Sequence, residues 1–200
     1  MAFGNDEMYE GQWDQNKKTG LGRYVWPDGI SYEGYWKDDL KQGQGTISYP
    51  TGANYVGNWE RDKKSGMGKY TYINGETYEG YWANDKRNGP GTYTWFDQTF
   101  YLGNWVDDKK NGQGRLVDSI GNTYEGRWID DCRDGLGIFT LKDGGKYDGS
   151  WKNDERNGQG EFINSNGEVY KGNWCNNKRD GSGNQKYLNG SKYDGQWKDD

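Results

Sequence analysis

Tyr55-Val56-Gly57-Asn58-Trp59 is one of nine copies of Tyr-x-Gly-x-Trp in this chain, each starting 23 residues after the one before. The tyrosines run from Tyr9 through Tyr32, Tyr55, Tyr78, Tyr101, Tyr124, Tyr147 and Tyr170 to Tyr193. A fixed period of this length marks a repeat array, in which each unit stacks on its neighbours. Alternation along an extended chain puts Tyr, Gly and Trp on one face and the two intervening residues on the other. In the first unit a polar stretch, residues 14–19, leads to Gly20-Leu21-Gly22-Arg23-Tyr24-Val25-Trp26. The same alternation predicts Gly20, Gly22, Tyr24 and Trp26 on a common face. Asp28-Gly29 then turns the chain toward Tyr32, and Asp-Gly or Asn-Gly recurs at 74–75, 143–144, 166–167 and 189–190. Such dipeptides supply the positive φ that tight turns need. Asp97-Gln98 lacks the glycine, which predicts a strained or different turn there.

The expected fold is therefore all-β: a single-layer antiparallel sheet of stacked 23-residue hairpins. Glycine weakens a strand and marks close approach of another group, so rings from one strand should lie over bare glycine backbone on its neighbours. Two strands per repeat at ~4.8 Å give ~10 Å per repeat, an elongated rod or groove that strand twist should curl. Residues 1–8 read as a lead-in, 9–192 as eight complete repeats and 193–200 as the first strand of a ninth, in one continuous domain.

Leu, Ile, Val and Phe make up only 24 of 200 residues, a proportion typical of disordered chains. Opposing this, 11 Trp, 17 Tyr and 5 Phe supply large apolar areas, and eighteen of these rings sit in phase within the nine motif copies. No apolar run is long enough to span a bilayer, and the N-terminus shows no secretory signal. Cys132 and Cys175 fit no metal spacing and read as free thiols, which suggests a cytoplasmic protein.

Tyr-x-Gly-x-Trp, the polar stretch, Gly-x-Gly and the Asp/Asn-Gly turn together resemble the MORN repeat (membrane occupation and recognition nexus). The resemblance covers residues 9–200. It departs in one respect: where the family often has His before Gly-x-Gly, this chain has Thr19, Gln42, Ser65, Asn88, Asn111, Asp134, Asn157 and Asp180. The resemblance implies a scaffold or adaptor. Such arrays occur in junctional membrane proteins, phosphoinositide kinases, ciliary radial spokes, protist cytoskeletal structures and a myosin-binding adaptor. It also implies that the repeats are not themselves catalytic.

The chain has no histidine, so Ser-His-Asp and Cys-His catalysis and His-based zinc sites are excluded. The carboxylates recur at repeat positions, as solvated strand and turn residues do, and no helix or GK[ST] follows any Gly-x-Gly. The expectation is no enzyme, no cofactor and no metal. Two surfaces remain. The first is an aromatic face carrying Tyr24, Trp26, Tyr49, Tyr70, Tyr72, Tyr93 and Trp95, uniformly bulky in the first four repeats. It is expected to bind a helical or extended segment of a protein partner, in a cytoskeletal or ciliary assembly. The second is a ridge of basic pairs assigned to the polar loops: Lys17-Lys18, Lys63-Lys64, Lys86-Arg87, Lys109-Lys110 and Lys178-Arg179. It offers an alternative role as a tether to anionic phospholipid. The eight loops sum to only +2, which argues against that role, and the net charge of −5 argues against nucleic acid. Neither end carries a polar cap, so the chain is expected either to be a fragment of a longer array or to pair its edges with another copy, as a homodimer or by end-to-end self-assembly.

Overall fold

The computed structural model describes residues 2–3 and 7–200. Two compact units divide the chain: residues 1–96 with Trp105–Asp108, and Asp97–Asn104 with Lys109–Asp200. The repeat pattern itself runs through both. The first unit contains β1 (Ala2–Phe3), β2 (Glu7–Asp14), β3 (Lys17–Val25), β4 (Ser31–Lys37) and β5 (Leu40–Ser48). It continues with β6 (Asn54–Glu60), β7 (Lys63–Thr71), β8 (Thr77–Ala83) and β9 (Lys86–Thr94). After β10 (Phe100–Val106), the second unit contains β11 (Lys109–Val117), β12 (Thr123–Ile129), β13 (Cys132–Thr140) and β14 (Lys146–Lys152). It ends with β15 (Glu155–Ile163), β16 (Val169–Cys175), β17 (Lys178–Lys186) and β18 (Lys192–Trp197). Each unit is a single-layered antiparallel meander in which every strand pairs with the next. The fold is all-β, as the period requires. Within the lead-in, Ala2 and Phe3 pair with Met8 and Glu7.

The core lies on the Tyr-Gly-Trp face. Tyr9, Tyr32, Tyr55, Tyr78, Tyr101, Tyr124, Tyr147 and Tyr170 are all at most 2% exposed. Tyr55 shows why. Its ring lies over Gly57 and Gly68, so a Cβ on either would sit closer than 3.0 Å to the phenol. Its Oη donates to the Asn58 carbonyl at 2.9 Å. It meets its own Trp59 edge-on at 5.2 Å and the next repeat's Trp82 at 5.4 Å. Trp82 in turn donates its indole N–H to the Gly68 carbonyl at 3.1 Å. Each tyrosine is thus wedged between two tryptophans, a contact worth about 0.5–1.5 kcal/mol per ring pair beyond burial. One layer can bury a core because glycine leaves room for the rings.

Two features depart from simple alternation. The polar stretch is not a six-residue loop but a two-residue turn. Both turn residues have positive φ, as at Asp38 (50°) and Asp39 (69°). Consecutive left-handed residues make a type I′ turn, whose twist matches the flanking strands. The basic pairs therefore lie at the starts of strands β3, β7, β9, β11 and β17. Next, between the pairs Gly34↔Gly45 and Trp36↔Lys41, β4 advances two residues while β5 advances four. This bulge holds the first glycine of Gly-x-Gly, for example Gly43 at φ 64°. A Cβ there would meet Tyr35 on the opposite face, and one at Gly20 would meet Gln12. Gly20 therefore does not share the face of Gly22, Tyr24 and Trp26, because a bulged glycine re-aims its Cβ.

At the closing turns, Gly29, Gly52, Gly75, Gly121, Gly144, Gly167 and Gly190 take φ from 81° to 98°, and Gln98 takes the equivalent place at 69°. The turn keeps its form and Gln98 carries the strain. Gln98→Gly should raise stability by about 1 kcal/mol, read as a higher melting temperature. An unchanged or lower melting temperature would show that the glutamine is unstrained.

Candidate partner-binding faces

The aromatic face lies on the core side of the sheet. Tyr24 and Tyr93 are each only 8% exposed, so they form its floor instead of a contact surface. Burial, with the nearby Glu7, pushes the Tyr24 phenol up to about 12. Tyr93 donates to Glu76 Oε2 at 2.5 Å. Trp26, Tyr49, Tyr70, Tyr72 and Trp95 are half-buried. Their rings stack: Tyr24 on Trp26 at 4.6 Å, Tyr70 on Tyr72 at 4.6 Å, Tyr72 on Tyr93 at 5.7 Å and Tyr93 on Trp95 at 4.7 Å. The first unit therefore presents a ring row, Trp26, Tyr49, Tyr72 and Trp95, one per repeat. In the second unit the same positions are Asp118, Leu141, Asn164 and Tyr187. Asp118 there accepts from the Asn122 backbone at 2.8 Å, so hydrogen bonds replace ring packing.

The basic pairs split. The second member of each turns onto the aromatic face: Lys18, Lys64, Arg87, Lys110 and Arg179 lie 4.1–4.8 Å from the ring of Trp36, Trp82, Trp105, Trp128 or Trp197. Each also meets the second turn residue of the next hairpin. Arg87 donates to Asp108 through its backbone N–H at 2.9 Å and its Nε at 3.0 Å, while the Asp108 N–H returns a bond to the Arg87 carbonyl. Repeated 21 residues apart, this pairing ties every hairpin to the next. Burial lowers the ammonium pKa of Lys64 and Lys110, against the pull of Asp85 and Asp131. Of the first members, Lys17, Lys86, Lys109 and Lys178 pair with Asp38, Asp107, Asp130 and Asp199 at 3.6–3.8 Å. Lys63 is exposed at the start of β7. No ridge of uncommitted cations results.

On the opposite face the structure reveals residues that the motif reading passed over. Leu21 and Tyr35 are cross-strand partners, as are Met67 and Tyr81, and all four are 45–54% exposed. Between them lie Gln44 and Asn58, joined by a 2.7 Å hydrogen bond. Beside this strip lies a concavity of 1010 Å³ that reaches Glu10, Arg23, Glu33 and Val56. The signal was present in the variable x positions of Tyr-x-Gly-x-Trp and Gly-x-Gly, read down the period. Cys132 and Cys175 are free thiols.

The family model described as MORN repeat matches residues 9–31, 32–53, 55–77, 78–100, 101–123, 124–146, 147–169, 170–192 and 193–200. No curated protein matches the chain. Among solved structures, the TCP10 domain of Danio rerio CPAP is similar with a TM-score of 0.54 at 13% identity, over 98% of this chain and 92% of that one. The TCP domain of Drosophila melanogaster SAS-4, in complex with a proline-rich motif of Ana2, gives a TM-score of 0.48 at 17% identity, over 78% and 84%. At such identities the likeness concerns the fold alone.

Proposed function

Since the chain belongs to the MORN-repeat family, we propose that it is a non-enzymatic scaffold that binds a protein partner along the ring row of its first unit, within a cytoskeletal or ciliary assembly. The observation that carries this is the row Trp26, Tyr49, Tyr72 and Trp95, half-buried, with Trp26, Tyr72 and Trp95 stacked on Tyr24, Tyr70 and Tyr93. Rings already held in place lose little freedom on binding, and large aromatic side chains dominate protein-binding hot spots. A photo-crosslinking residue at Tyr49 or Tyr72 should trap one protein in cells, and the same residue at Glu125, exposed on the other face within the second unit, should not. Equal labelling from all three positions would defeat the proposal.

Little favours the lipid tether once half of its cations face inward and most of the rest are ion-paired. A surface Lys or Arg near an anionic membrane contributes about 1 kcal/mol only while it is uncommitted. The purified chain should stay with the dense fraction when floated with phosphoinositide and phosphatidylserine vesicles at physiological salt. Flotation under those conditions would restore the tether.

A further inference from the structure

The outer face of the first unit carries a strip across the strands with an unusual composition. Read from β3 to β8 it runs Leu21, Tyr35, Gln44, Asn58, Met67, Tyr81, without a single charge in a chain that is 28% Asp, Glu, Lys and Arg. Its order is an apolar pair, an amide pair and a second apolar pair. Five of the six residues are exposed and Asn58 is half-buried. The strip is on the opposite side of the sheet from the ring row, so it is independent of the function proposed above.

The chemistry restricts what can cover it. A charged segment would lose water and gain no counter-charge, since the nearest charged row alternates in sign through Glu10, Arg23 and Glu33. Two apolar pairs call for two apolar side chains. The pairs are four strands apart, about 19 Å at ~4.8 Å per strand. An extended chain covers about 19 Å in six residues, at ~3.1–3.3 Å each. A helix would need about 13 residues for the same distance and would already have satisfied its own backbone groups. The amide pair between the knobs is what an extended main chain needs. Gln44 donates to Asn58, which leaves Gln44 Oε1 to accept a peptide N–H.

We propose that this strip docks an uncharged, extended segment of a partner protein, with two apolar side chains six residues apart. One sits on Leu21 and Tyr35, the other on Met67 and Tyr81, and the main chain crosses Gln44. An extended segment with side-chain contacts at fixed intervals draws its specificity from that spacing.

The test uses phage-displayed random dodecapeptides selected on the full chain, then re-bound to a Tyr35→Ser/Tyr81→Ser variant. Both side chains are about half exposed, so the variant should fold, as its circular dichroism and melting will verify. Selected clones should carry two apolar residues at six-residue spacing with no charge between them, and should lose at least ten-fold in affinity on the variant. A synthetic peptide of that pattern should bind at least ten-fold better than the same composition with its apolar residues three apart. A Tyr49→Ser/Tyr72→Ser variant, altered on the ring row, should bind it unchanged. The proposal fails if selected clones bind the Tyr35/Tyr81 variant equally well, or if spacing makes no difference. It also fails if light scattering shows a dimer that the Tyr35/Tyr81 variant dissolves, because the strip would then belong to a second copy.

Discussion

Raising the pH above 10, the ordinary tyrosine value, is expected to unfold this protein cooperatively. The core is a file of phenols with no room for the charged form. Burial holds Tyr124 and Tyr147 at about 12, and it raises Tyr32, Tyr55, Tyr78 and Tyr101 as well. Each raised phenol withdraws on the order of a few kcal/mol at high pH, and several together rival the ~5–15 kcal/mol that stabilises most domains. The sign follows from linkage: a raised folded pKa gives stability that is complete below the unfolded value and disappears as pH climbs toward the folded one. The window is thus pH 10 to 12 for Tyr124 and Tyr147. Urea midpoints by circular dichroism should hold to about pH 9 and fall sharply as the pH rises from 10 toward 12, with tyrosinate absorbance rising in the same transition. Phenols that titrated smoothly while the strand signal persisted would show that the core admits charge. Tyr55→Phe should cost about 1 kcal/mol at neutral pH through the lost bond to Asn58, yet lessen the alkaline loss.

The second large effect comes from one methyl group. Gly68→Ala places a Cβ closer than 3.0 Å to Oη, Cζ and Cε2 of Tyr55, a ring with no exposed surface. The phenol cannot retreat, because Trp59 and Trp82 hold its two sides and the Asn58 carbonyl holds its hydroxyl. Overpacking a fitted site costs about 1–3 kcal/mol and occasionally more, and here the upper end is expected. Gly75→Ala is the control. Its φ of 85° is strained for alanine, but nothing lies within 4 Å of the added Cβ. That change should cost only about 1–2 kcal/mol. Equal losses in urea unfolding would mean that backbone strain, and not the ring above it, makes Gly68 necessary.

These two outcomes depend on features of different legibility. That Tyr55, Gly57 and Trp59 share a buried face is written in their period-two spacing. That Asp28-Gly29 turns the chain follows from which residues accept positive φ. The placement of Lys64 does not follow in the same way. As part of a polar stretch it reads as a solvated loop cation, yet the turn takes only Arg61 and Asp62, and the lysine is the second residue of a strand and faces Trp82. The first glycine of Gly-x-Gly, read with the second on one face as at Gly20 and Gly22, escapes the alternation for a related reason, as Gly66 shows. Its positive φ inside a bulge points its missing side chain at Asn58, on the face opposite Gly68. The rings of the aromatic face were legible as a set, though exposure separates them: Tyr24 and Tyr93 became floor, and Trp26, Tyr49, Tyr72 and Trp95 the accessible row.

By itself the sequence determined the repeat, the hairpins and the buried face, because these rest on spacing and on backbone preferences that act within a few residues. Tertiary structure alone decided where the bulge falls, which cation of each pair turns inward, and that Leu21, Tyr35, Met67 and Tyr81 align across strands. Those outcomes depend on pairing register, which relates residues 14 or 21 apart and is set only when the strands meet.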